Sequence, residues 1–225
     1  MIYQKKWALT ASFIIIQNFF LALYFYSLQN YQLHIVLTAE DHLGEWSQFI
    51  FYAIACCSLC SYTFTYFRSW ERLERIILAL ALFILAGEEI SWGQRIFHFS
   101  IKAVEALNNQ GEINAHNLFP LYGNVGIYII WCLLFILIIP LCGLIFSKIV
   151  KRKKGNTFQS IFFNFGFIFI HFELIILYLF LPREKHIYFY EFSELMISFS
   201  FCHLVLKDYW QSKTEYNLYS IKNKF

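Results

Sequence analysis

Between Trp46 and Phe67 the chain reads WSQFIFYAIACCSLCSYTFTYF, 22 residues without a single Asp, Glu, Lys or Arg. A helix needs about 20 mostly apolar residues to cross the hydrocarbon core of a bilayer, so this stretch reads as a transmembrane helix. Stretches of the same kind lie on both sides of it. Trp7 to Leu28 gives a first span, Gly126 to Phe146 a fourth, Phe158 to Leu181 a fifth and Ile187 to Leu206 a sixth. A third, starting at Ile76, reaches spanning length only by continuing through Glu88 and Glu89. The first span follows Lys5 and Lys6 but is too long for a signal-peptide core and lacks a small-residue cleavage pattern, so an uncleaved anchor is expected.

Composition agrees with that reading. Hydrophobic residues are 59% and charged residues 15% of the 225, with 27 Phe, against roughly 45–50% and 25% in ordinary soluble domains. A soluble domain of this size has too little interior to hide so much apolar surface. The net charge of +3 is too small to argue for a nucleic-acid partner. The partners expected are membrane lipids. All six Cys (Cys56, Cys57, Cys60, Cys132, Cys142 and Cys202) fall inside apolar runs and read as buried free thiols.

The basic residues give the chain a direction. With the N-terminus inside, fourteen of them fall on cytoplasmic segments, including Lys5, Lys6, Arg68, Arg72, Arg75 and the run Lys151-Arg152-Lys153-Lys154. Arg95, Lys102, Arg183 and Lys185 fall outside. The positive-inside rule then predicts both termini in the cytoplasm. The fold class expected is an all-α polytopic bundle of about six transmembrane helices, with residues 1–206 as the bundle and 207–225 as a polar cytoplasmic tail.

Acidic and His residues collect at the opposite face. If the segment around Glu45 is helical, Asp41, Glu45, Gln48 and Tyr52 form one polar stripe. In Gly87-Glu88-Glu89-Ile90-Ser91-Trp92-Gly93-Gln94-Arg95, a continuing helix would put Glu88, Trp92 and Arg95 on one face. Polar groups alternate in Gln110-Gly111-Glu112-Ile113-Asn114-Ala115-His116-Asn117, and Glu191 and Glu194 share a helix face. Ionisable groups at membrane depth are costly and tend to face a cavity or a partner. Carboxylates with imidazole suit a divalent metal ion. The ligand set expected is therefore Glu88, Glu89, Glu112 and His116, with His98 and His171 as second choices. Glu191 or Glu194 would then act as acid or base, and Arg95 would bind an anionic headgroup.

The stretches Glu88–Arg95 and Gln110–Asn117 resemble those of a group of bacterial multi-span membrane proteins of undetermined function. The resemblance covers Glu40 to Asn117. It implies a bacterial inner (plasma) membrane location and that the two stretches belong to one site; it implies no activity. No zincin, nucleophile-elbow or phosphate-loop motif is present. Three functions stay open at this point. One is a metal-dependent enzyme acting on a lipid or lipid-linked substrate. Another is a proton- or cation-coupled transporter using Glu173, Glu191 and Glu194. The third is a non-enzymatic membrane scaffold.

Overall fold

The computed structural model describes residues 2–38, 42–66, 70–108, 111–114, 172, 174–177, 179–181 and 186–222. All regular structure among them is helical. The main helices are α1 (Ile2–Ser27), α2 (Tyr31–Thr38), α3 (Leu43–Tyr66), α4 (Trp70–Glu89) and α7 (His186–Lys222). Between α4 and the end of the described loop lie a 3₁₀ turn (Ser91–Gly93) and two one-turn helices, α5 (Gln94–Phe97) and α6 (Lys102–Glu105).

Local chemistry accounts for the breaks. Asn30 ends the turn after α1 and starts α2, its Oδ1 accepting the Leu33 amide at 3.2 Å, as an N-cap side chain does. Gly44 lets α3 begin against α2: a Cβ there would clash with the Leu37 carbonyl oxygen. α2 is thus a short helix packed between α1 and α3.

Three helices make the central core. Tyr52, Ala55, Leu59 and Tyr62 of α3 meet Leu78, Ala79, Leu82 and Ala86 of α4 and Phe201, Cys202, Leu204 and Val205 of α7. The α3 residues fall at alternating intervals of three and four, the spacing of a helix that buries one stripe. α4 buries Arg75, Leu78, Leu82, Ala86 and Glu89 along one stripe and exposes Ile77, Leu80, Phe83 and Ile84 along another. α7 lies centrally, because its other side packs Phe189, Phe192 and Met196 on Phe13 and Tyr24 of α1. Contacts at both ends give the directions. Gln48 meets Glu191 and Tyr62 meets Asp208, so α3 and α7 run parallel. Phe13 stacks on His203 at 4.3 Å and Tyr24 on Phe192 at 4.4 Å, so α1 runs antiparallel to α7.

Among the described residues, two stretches are long and apolar enough to cross a membrane, Tyr31–Tyr66 and Phe189–Thr214. They overlap the expected second and sixth spans, Trp46–Phe67 and Ile187–Leu206, the first beginning earlier, at Tyr31, and the other running on to Thr214. The expected third span differs. Its helix starts at Trp70 rather than Ile76, and its 20 residues carry Glu71, Arg72, Glu74, Arg75, Glu88 and Glu89 at the two ends. The described apolar part of α1 is the shorter Ala11–Ser27. The fourth span and most of the fifth lie outside the described residues. The polar stretch from Lys207 is helical through Lys222, a direct continuation of α7.

Candidate carboxylate site at the α4 C-terminus

The buried stripe of α4 ends in a carboxylate. Glu89 is only 8% exposed. Glu194, Glu191, Glu45 and Glu88 are all near enough to act on it electrostatically. Glu45 comes from the first turn of α3, and Glu191 and Glu194 come from the start of α7. Facing Glu89 from α3 is the buried amide of Gln48. With its nitrogen turned to the carboxylate, Gln48 donates to Glu89 Oε2 at 2.7 Å and Oε1 at 3.1 Å. With its nitrogen turned the other way, it donates to the Glu191 carbonyl at 3.3 Å. Buried Tyr52, one turn along α3, lies within electrostatic range of Glu89 and Glu194, and Tyr190 hydrogen-bonds to Glu194. The site is therefore a set of acidic groups with amide and phenol neighbours, assembled from three helices.

Glu45, Gln48 and Tyr52 do share one face of α3, as the sequence pattern predicts, and all three are buried. Asp41 lies outside the described residues. The adjacent acids of α4 go separate ways. Successive helix residues point about 100° apart, so Glu89 turns into the core while Glu88 turns out and accepts the Trp92 indole N–H at 2.6 Å.

The expected helical face of Glu88, Trp92 and Arg95 does not form, because α4 stops at Glu89. Ser91, Trp92 and Gly93 follow with φ of 48°, 54° and 84°. Left-handed backbone costs non-glycine residues of order 1 kcal/mol each. Side-chain contacts hold it here. The Trp92 ring folds back over Gly87, where a Cβ would sit 2.9 Å from its Cε3, and meets Phe83 edge-on at 6.2 Å. Ser91 Oγ donates to Glu112 at 2.7 Å.

Ser91 thus joins the two polar stretches. Asn114 Nδ2 donates to Glu112 at 2.8 Å and to Ser91 Oγ at 3.2 Å, while Asn108 donates to Asn114 Oδ1 at 2.7 Å. Gln94 accepts the Ile113 amide at 2.7 Å and donates to Glu105 at 2.9 Å; Ser100 donates to the other Glu105 oxygen at 2.8 Å. Glu112 is therefore a brace of this loop.

The structure thus distributes the expected ligands over different networks. Glu89 joins Glu191 and Glu194, whereas Glu88 is bonded to Trp92 and Glu112 to Ser91 and Asn114. Among the described residues no group of three or more His, Cys, Asp or Glu has the arrangement to hold a metal. His116, His171 and Glu173 lie outside the described residues, as does the side chain of Arg95. His98 is exposed, with φ 52°, at the end of α5.

A second polar cluster, unforeseen from the sequence, closes the other end of the three-helix core. Arg75 forms an ion pair with Asp208 at 3.0 Å, their side chains 5% and 12% exposed. The same Asp208 oxygen accepts the Tyr62 hydroxyl at 2.7 Å, and the Arg75 guanidinium lies 5.8 Å from the Tyr62 ring centroid. The available signal was register: Arg75 falls on the same α4 stripe as Leu78, Leu82 and Glu89.

No protein-family model matches the chain, and neither a curated protein nor a solved structure shows significant similarity to it.

Proposed function

We propose that the chain is a multi-pass protein of a bacterial inner membrane, of about six spans with both termini inside, whose Glu89 cluster is an outward-facing site for positive charge. The observation that carries this reading is the burial of Glu89 on a helix seam with Glu45, Glu191 and Glu194 around it. Neighbouring carboxylates repel one another, and a proton or a bound cation among them relieves the repulsion. The amide of Gln48 suits either state, since one of its ends donates and the other accepts. The apolar stripes on the outside of α3 and α4, with Ile50, Ile54, Ile77, Leu80 and Ile84 exposed, support a lipid environment.

The test is stability of the purified full chain in detergent, titrated with protons and, at fixed pH, with Na⁺ or K⁺. Protons or one cation should raise the unfolding midpoint, and Glu89→Gln and Glu194→Gln should each blunt that response. A response kept in full by both variants would sink the reading. The two arms separate a proton site from a cation site. A metal-dependent enzyme acting on a lipid-linked substrate would instead need Glu88, Glu89, Glu112 and His116 to converge. The bonding of Glu88 to Trp92 and of Glu112 to Ser91 favours the charge site. Divalent-metal content of the purified protein, and its loss in Glu112→Gln and His116→Ala, distinguishes the two.

A further inference from the structure

The loop after α4 is organised in the reverse of a water-facing loop. Its buried residues include Ser91, Asn108 and Asn114. The polar side chains of Gln94, Ser100, Glu105, Glu112 and Asn114 are turned to one another by hydrogen bonds. Its large apolar side chains are the exposed ones: Phe97 at 75% and Leu107 at 68%, with Ile96, Phe99 and Ile101 also exposed. Phe97, Phe99 and Ile101 alternate along the chain with His98, Ser100 and Lys102.

Leaving such side chains in water forgoes roughly 1.5–3 kcal/mol for each one that could be buried. The inward polar network is the arrangement suited to an apolar solvent, where unsatisfied polar groups are costly. The loop is also continuous with the exposed stripe of α4, since Trp92 packs on exposed Phe83. We infer that residues 92–107 insert into the leaflet at the α4 C-terminal end, with Phe97, Phe99, Ile101 and Leu107 among the acyl chains. His98 and Lys102 lie at headgroup level, the position interfacial segments give to polar and basic residues. The inserted loop forms a collar beside the carboxylate site. The inference rests on the membrane reading above.

Trypsin provides a direct readout, because Arg75, Arg95 and Lys102 bound two adjacent peptides, 76–95 and 96–102. The full chain is reconstituted in vesicles of phosphatidylethanolamine and phosphatidylglycerol containing a phosphatidylcholine with a diazirine on its acyl chain. After photolysis and digestion, labelled peptides are measured by mass spectrometry. Insertion predicts labelling of 96–102 within about twofold of that of 76–95, which carries the outer stripe of α4. Labelling of 76–95 without 96–102 overturns the inserted loop and leaves the membrane reading standing. Labelling of neither peptide overturns both.

Discussion

Gly87 shows how much one missing side chain can decide. The Trp92 ring lies where a Cβ on residue 87 would be, with contacts of 2.9 and 3.0 Å to its Cε3 and Cζ3. Gly87→Ala must therefore displace the ring and loosen its bond to Glu88. Overpacking of this kind costs about 1–3 kcal/mol, less any helix-propensity gain of up to about 1 kcal/mol from replacing glycine. The expected outcome is a lowered unfolding midpoint in detergent together with a shifted tryptophan emission. At Gly111, φ is +71° and a Cβ would meet nothing within 4 Å, so only the backbone resists substitution there. The pair Glu88 and Glu89 makes the companion point. In the sequence they read as one doubly acidic motif, yet a step of about 100° around the helix sends one to an exposed indole and the other into the core. Adjacency along a chain does not convey adjacency in a site.

At the scale of the element, α4 is amphipathic in an unusual setting. Leu82 is 0% exposed and Leu80 57% exposed, although the residues are chemically identical and two positions apart. Leu82→Ala should cost about 2–5 kcal/mol through the cavity it leaves, whereas Leu80→Ala should stay within about 1 kcal/mol in detergent. Equal losses measured by thermal unfolding would refute the assigned orientation of the helix. Much of this was legible beforehand. The i, i+3, i+7 spacing of Glu45, Gln48 and Tyr52 fixed their common face once a helix was assumed. The end of α4 was not legible, because Ser91 and Trp92 are ordinary residues in left-handed conformations. What holds them there, the Glu112 carboxylate and the Gly87 seat, lies outside the local pattern.

For the whole molecule, the long-range pairings matter most. Arg75 and Asp208 are 133 residues apart; charge counting assigned Arg75 to topology and Asp208 to a tail. Their partnership depends on how α4 meets α7, which the sequence of either helix alone does not contain. Removing one partner of a buried pair costs about 3–5 kcal/mol, while replacing both with apolar residues can recover the loss. Arg75→Met and Asp208→Leu are each expected to destabilise by that order. The double variant should unfold close to the parent chain, and strictly additive losses would show the pair is not coupled. The expected carboxylate cluster came together only in part for the same reason. Glu191 and Glu194 come within electrostatic range of Glu89 because the start of α7 lies at the α4 C-terminal end, while Glu112 is taken by the loop.

The stripe of α4 that begins with Arg75 and ends with Glu89 behaves as a bolt with a head at each end. The two residues are about 21 Å apart along the axis, and the stripe between them, Leu78, Ala79, Leu82 and Ala86, packs in the apolar core. A slide of one turn, about 5.4 Å, in either direction would push one charged head into the apolar seam while pulling the other from its partners. Such uncompensated burial costs several kcal/mol. Piston motion of α4 is thereby disfavoured by that amount.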